Sequence, residues 1–229
     1  QVNIDLIAGM LGDTDEKWHA TVQRTIELSP DSVTIYQMEL PYNTTISSDL
    51  LKGTGQFTES VANWSTKRRW VREAFDALEA AGYTVSSAYT AVKNPETTRF
   101  VYRDQLWQGA DLAPLGVSSF GHVNGVHMQN QDSWGPYAAA VRRGELPLSR
   151  AFRPTDEERL IRELVLQLKR GSVRPGYFSD KYGVDLLDRF GPALGSDADQ
   201  IALTRDGLLR VDSLLPRFFL PEHTNLRYT

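Results

Sequence analysis

The stretch that most limits what this chain can become is Val2 to Pro41, which reads strand, loop, helix, turn, strand. Val2 to Ile7 is a short apolar run interrupted by Asn3 and Asp5, and Gly9 and Gly12 punctuate its end. Asp13 precedes Glu16 by three residues, the spacing of a capping box in which each side chain satisfies a free N–H at a helix start. Trp18, Val22 and Ile26 follow four apart, giving one apolar helical face. Ser29-Pro30-Asp31 stops the helix, and Val33 to Met38, rich in β-branched and aromatic residues, is the next strand. Two strands joined by a crossover helix make a βαβ unit with parallel strands. Ligands of such units gather beyond the carboxyl ends of the strands, here Gly9 to Asp13 and Gln37 to Glu39.

Composition excludes several classes. The 229 residues carry a net charge of −4 with the two signs interspersed, which argues against a nucleic-acid or membrane-surface partner. No apolar run reaches the roughly 18 residues of a membrane span, and no signal-peptide pattern opens the chain, which points to the cytoplasm. There is no cysteine, so disulfides, thiolate nucleophiles and cysteine-held metals are outside the means of this chain. Residue 1 is Gln and stands just before a strand; the chain is expected to begin partway through a larger protein.

After the second strand, Leu40 to Thr45 and Gly53 to Gly55 form a long polar loop. Phe57 to Ala81 fits a long helix, with Val61, Trp64, Val71, Phe75 and Leu78 on one face and Lys67, Arg68, Arg69 and Arg72 on the other. Tyr83 to Tyr89 reads as a third strand, Phe100 to Tyr102 as a short aromatic segment, and Leu115 to Gly121 as a fourth strand running into a turn. Asn124-Gly125 is the next turn. A boundary near Arg150 to Pro154 divides a β/α part, 1–150, from a mostly helical part, 151–229. Thr155 to Glu158 is a second capping box and opens a helix with Leu160, Ile161, Leu164, Val165 and Leu168 inward. Phe178, Tyr182, Leu186 and Phe190 suggest a helix, Gln200 to Thr204 a strand, and Leu208, Val211, Leu215 and Phe218 a final helix. That order is winged-helix-like.

Asn3 to Met10, Ser32 to Pro41, and Leu115 to Gly121 with Gln129-Asn130 resemble the oxygen-independent coproporphyrinogen III oxidase family of radical SAM enzymes. The order and rough spacing continue through Glu145-Leu146-Pro147, the helix Arg159 to Lys169, and Ala202 to Gly207. The resemblance implies an α/β fold, a partial (β/α) radical SAM barrel followed by a helical C-terminal domain. It also implies S-adenosylmethionine and a 4Fe-4S cluster at the barrel mouth and a tetrapyrrole as small-molecule substrate. In that chemistry a 5′-deoxyadenosyl radical abstracts hydrogen from a porphyrinogen propionate, which loses CO2 to become a vinyl group. The electron donor stays open. The family's C-x3-C-x2-C cluster loop lies upstream of everything here, so this chain alone is expected not to make radicals.

Several residues carry a functional reading beside a structural one. Gln37 is either a polar strand end or an amide that hydrogen-bonds an adenine or ribose. Arg24 is a solvated helix residue, or, as the resemblance implies, a guanidinium close to S-adenosylmethionine. Asp13 caps a helix or touches the cofactor, standing where relatives often have Gln. The resemblance implies a backbone contact to the adenosyl group at Ala91. Asp5 faces the barrel interior or a wet edge. Ser118, His122 and Asn124 either bind substrate carboxylates or satisfy loop backbone. Lys67, Arg68, Arg69 and Arg72 are a solvated face or a set that meets propionates. The four histidines show no metal spacing. A heme-chaperone branch of the family has a His-Asn-x-x-Tyr-Trp motif; the aligned stretch, Tyr102 to Trp107, keeps the tryptophan and lacks the histidine. A radical SAM methylase is a third reading.

Overall fold

The computed structural model describes residues 1–39, 62–194, 196–197 and 200–223. The long loop after the second strand, and the part of the following helix read from Phe57 to Val61, lie outside them. The elements run β1 (Asn3–Ala8), α1 (Asp15–Leu28), β2 (Ser32–Gln37), α2 (Trp64–Ala80), β3 (Thr84–Val85), β4 (Thr90–Val92), α3 (Val101–Trp107), β5 (Phe120–Val123), β6 (Val126–Asn130), α4 (Trp134–Arg142) and β7 (Leu148–Phe152). They continue with α5 (Asp156–Leu168), β8 (Ser172–Val173), α6 (Pro175–Tyr182), α7 (Leu186–Leu194), β9 (Ser196–Asp197), β10 (Gln200–Ala202), α8 (Arg205–Leu209) and α9 (Val211–Leu214). Two short 3-10 turns follow, Leu215–Phe218 and Pro221–His223. Two compact units result: 1–99 with 169–172 and 202–229, and 100–168 with 173–201.

In the first unit β1 and β2 pair in parallel, Asn3 opposite Ser32 through Ala8 opposite Gln37, as the βαβ pattern requires. Leu6 and Ala8 of β1 and Val33 and Ile35 of β2 are buried with Trp18 and Val22 of α1 and Trp70, Val71, Ala74, Phe75 and Leu78 of α2. Each large side chain removed from water in this way contributes roughly 1.5–3 kcal/mol. Trp18 and Trp70 stack with ring centres 6.0 Å apart. The Trp18 indole N–H donates to the Trp70 carbonyl at 2.9 Å, so the two helices are joined by a directed bond as well as by packing.

Three local expectations change. The N-cap of α1 is Thr14, whose hydroxyl accepts from Lys17 N at 3.3 Å. Asp13 instead accepts from Met10 N at 2.8 Å, closing the turn one residue earlier. The third strand breaks into β3 and β4, which pair with each other and place β4 antiparallel to β2; the sheet order is β1-β2-β4-β3. The break follows from Ser86 N donating to Thr90 O at 2.8 Å, which turns the chain back on itself. The final helix is divided into α8, α9 and a 3-10 turn. Thr204 caps α8 by accepting from Gly207 N.

In the second unit the fourth strand starts only at Phe120. Gly116 and Ser118 have positive φ, and Asn130 Nδ2 donates to the carbonyls of Pro114 and Gly116, which holds the preceding segment as a turn. β5, β6 and β7 form an antiparallel sheet in that order, with Asn124-Gly125 as the two-residue hairpin turn, both residues at positive φ. Thr155 and Glu158 form a reciprocal capping box at α5. Leu160, Leu164, Leu168, Phe178 and Leu186 are fully buried. The helix read across Phe178 to Phe190 is two helices, because Gly183 takes the left-handed C-cap of α6. The order α5, β8, α6, α7, β9, β10, with sheet order β8-β10-β9, is that of a winged helix. Among the described residues no helix is long and apolar enough to cross a membrane.

Candidate functional site

The first unit holds a cavity of about 640 Å³ beyond the carboxyl end of β2. Tyr36, Gln37 and Glu39 reach it from the strand end, Trp64 and Arg68 from the first turns of α2, and Tyr89 from the loop before β4. Lys169, Leu209, Arg210, Asp212 and Ser213 also line it. Alternation along β2 sends Val33 and Ile35 into the core, which leaves Tyr36 half-exposed on the other side.

One wall is a hydrogen-bonded array. The Tyr89 hydroxyl lies 2.7 Å from both carboxylate oxygens of Asp212, and Lys169 Nζ stands 3.1 Å from the same carboxylate. Lys169 N–H groups also lie over the Tyr89 ring, 5.4 Å from its centre. Burial, and then the Asp212 charge, push the Tyr89 hydroxyl far above its ordinary value, so it stays protonated. Tyr36 stacks on Tyr89 at 6.3 Å and is also pushed up, chiefly by burial. The Gln37 side-chain oxygen is buried and has no hydrogen-bond donor. A buried acceptor without a donor is costly and is normally satisfied. The cavity thus offers flat aromatic faces, cations and one waiting acceptor.

Of the residues singled out for a cofactor, Gln37 lines this cavity, whereas Asp13, Arg24 and Ala91 are not among its lining residues. Arg24 is exposed and paired with Glu27 at 2.9 Å. Ala91 is completely buried in β4 between Val33 and Val85. Asp5 is exposed and accepts from the Asn3 amide at 2.7 Å. The sequence reading did not single out Tyr89, Lys169, Arg210 or Asp212. Tyr89 ends a stretch of strand-like residues and could have been marked as a strand end; the other three lie far along the chain and leave no local signal.

Ser118, His122 and Asn124 fall in the second unit. His122 lines a separate cavity of about 360 Å³ with Asp111, Arg159, Glu163, Lys181 and Tyr182. Its Nδ1 is buried without a partner, and its ring centre lies 4.4 Å from that of His127. Burial lowers both imidazoles, His127 to about 4, and the Arg162 charge adds to the effect. Ser118 Oγ donates to the Asp132 carbonyl, and the Asn124 backbone N–H donates to the Asp111 carboxylate. The chain has no cysteine, and no group of three metal-ligating side chains occurs among the described residues, so those residues offer no seat for an iron–sulfur cluster.

The fold is shared with the solved coproporphyrinogen III oxidase HemN of Escherichia coli, described as a radical SAM enzyme, which matches over 94% of this chain and 54% of its own, with a TM-score of 0.73 at 20% identity. In sequence the chain is similar to the oxygen-independent coproporphyrinogen III oxidases of Pseudomonas aeruginosa, 25% identical over 93% of this chain and 47% of that protein, and of Thermostichus vulcanus, 24% identical over 92% and 66%. The resemblance to that family read from the sequence therefore holds. The chain spans about half the length of the Pseudomonas relative. No protein-family model matches it.

Proposed function

We propose that the chain is one portion of a radical SAM oxidoreductase of the coproporphyrinogen dehydrogenase type, acting on porphyrinogen propionates in heme biosynthesis. The observation that carries this reading is a likeness to such oxidases running along 93% of the chain. The cavity at the end of β2 is consistent with it. The Gln37 oxygen needs a donor, which the exocyclic amine of S-adenosylmethionine's adenine supplies, and Tyr36 and Tyr89 offer ring faces. When bound, that cofactor supplies one-electron oxidation. This chain's part is to bind, orient and shelter. The tyrosine hydroxyls stay protonated and no histidine lines the cavity, an arrangement suited to holding a ligand rather than to acid–base work. The cluster does not fit the residues present and belongs to a part of the protein outside this chain.

The test is reconstitution of the whole parent protein with iron, sulfide and a reductant under anaerobic conditions. Formation of 5′-deoxyadenosine and of vinyl-bearing porphyrinogen is expected. A parent that lacks C-x3-C-x2-C, or that yields a methylated product, rejects the reading. The present chain alone is expected to bind S-adenosylmethionine too weakly for micromolar calorimetry.

A further inference from the structure

The second unit has a cavity of its own, about 360 Å³, lined from the turn after α3, the β5–β6 hairpin and helices α5 and α6. One half of its lining is internally satisfied. Glu163, 4% exposed, accepts from Lys181 at 2.8 Å and from the Tyr177 hydroxyl at 2.8 Å, and Lys181 also donates to the Gln108 carbonyl. The other half is not. His122 is 6% exposed, and its Nδ1 is buried with no hydrogen-bond partner among the described residues. Arg159 pairs with Asp156 through Nη2, and its Nη1 packs against the hairpin turn, 3.0 Å from where a Cβ on Gly125 would stand. The Arg159 Nε is likewise buried without a partner. Two side chains with an orphaned nitrogen thus line one cavity, although buried polar groups are normally paired.

We infer that this cavity is a second ligand site, built for a small uncharged molecule with a carbonyl beside an N–H: an amide, lactam or urea. Arg159 Nε is a donor only, so its partner must be an acceptor. A bare anion would supply one, but Asp111, Asp156 and Glu163 outnumber Arg159 and Lys181 on the cavity wall and oppose it. Burial and the Arg162 charge hold the His122 imidazole below its ordinary value, so it adds no positive charge at neutral pH. A carbonyl oxygen accepts from Arg159 without bringing charge. A neutral imidazole keeps one nitrogen as an acceptor; with its proton on Nε2, the His122 Nδ1 takes the N–H of the ligand. The inference depends neither on the cavity at the end of β2 nor on the cofactor proposed there.

The test is titration of the whole chain with nicotinamide, followed by calorimetry and by the side-chain nitrogen NMR spectrum of His122. Nicotinate, which has the same ring but a charge and no N–H, and methyl nicotinate, which has the carbonyl without the N–H, are the comparisons. Nicotinamide is expected to bind and to move the His122 Nδ1 resonance, and each comparison to bind about tenfold more weakly. Arg159→Met and His122→Phe should each weaken nicotinamide about tenfold, the loss of one buried hydrogen bond. Arg24→Gln, an exposed control in the first unit, should leave its binding unchanged. Nicotinate that binds as tightly as the amide overturns the uncharged class and shows an anion site instead. Absence of nicotinamide binding, an unmoved His122 resonance, or indifference to both substitutions overturns the ligand site and leaves ordered water as the partner of the two nitrogens. The resonance is read on the unaltered chain, so it decides the matter whether or not the variants fold.

Discussion

The stem of Lys67 runs directly beneath Gly9: a Cβ built on Gly9 would stand 2.6 Å from Lys67 Cδ and 2.8 Å from Cγ. Gly9 also has φ +94°, a conformation that side chains rarely adopt. The turn after β1 and the first turns of α2 are therefore fitted to one another at the end of the strands. Gly9→Ala is expected to cost about 2–3 kcal/mol in urea unfolding. Because Lys67→Ala removes the obstacle, the double variant should be less destabilised than the sum of the singles, by about 1 kcal/mol. Strict additivity would show that the contact carries no strain.

The cross-strand pair His122 and His127 makes stability depend on pH. A free imidazole protonates near 6.5, whereas burial holds His122 below that and His127 at about 4. The folded state thus binds fewer protons, so this contribution is complete above pH 6.5 and is lost as pH falls toward 4. For His127 the gap corresponds to at most about 3 kcal/mol, and solvent screening of a partly exposed ring brings it to about 1–2 kcal/mol. Unfolding free energies from urea titrations should fall by that amount between pH 7 and pH 4, and His127→Gln should flatten the slope.

Glu163 is buried on α5 and accepts from Lys181 at 2.8 Å and from the Tyr177 hydroxyl at 2.8 Å. Burial alone would lower the Lys181 ammonium, but its hydrogen bonds to Glu163 and Tyr177 raise it above its ordinary value. Glu163→Gln is expected to cost about 2 kcal/mol. Gly109→Ala should cost about 3 kcal/mol or more, since the added carbon would meet the Glu163 carboxylate at φ +80°. Thermal melting of the two variants ranks them; equal melting points would contradict the close approach.

Among the described residues β1 pairs on one side only, with β2, and Val2 and Ile7 are exposed. An open apolar strand edge recruits other chains. Ile7→Lys is expected to suppress self-association in light scattering while changing stability by less than about 0.5 kcal/mol. Hydrogen exchange along β1 should alternate between fast, outward amides and slow ones bonded to β2. Uniform protection of the whole strand in a monomer would exclude the free edge.

Periodicity made the βαβ unit legible, because alternating and fourfold apolar spacing each correspond to one burial geometry; the parallel pairing of β1 with β2 and the buried Trp18 and Val22 follow from it. The Thr155–Glu158 capping box and the Asn124-Gly125 turn were equally plain, since their chemistry is confined to a few adjacent residues. Thr14 rather than Asp13 as the first cap, and the divided third strand, were not, because the competing hydrogen bonds of Met10 and Thr90 differ too little locally to choose between.

The strand end at Gln37 could be marked as a ligand position from the chain alone, but the fate of each nearby charge could not. Local patterning determined the strands, helices, turns and the absence of any thiol, since these depend on neighbours in sequence. Which arginine of Arg68, Arg69 and Arg72 is left without an acid among the described residues, and which distant residues stand beside Gln37, was decided only by folding: Glu73 is a turn away on the same helix, but Asp15 and Asp206 come from distant parts of the chain, and together the three acids neutralise two of the three arginines. Coulombic pairing acts over a few ångströms of space whatever the separation in sequence, so only the assembled unit shows which charges are left over.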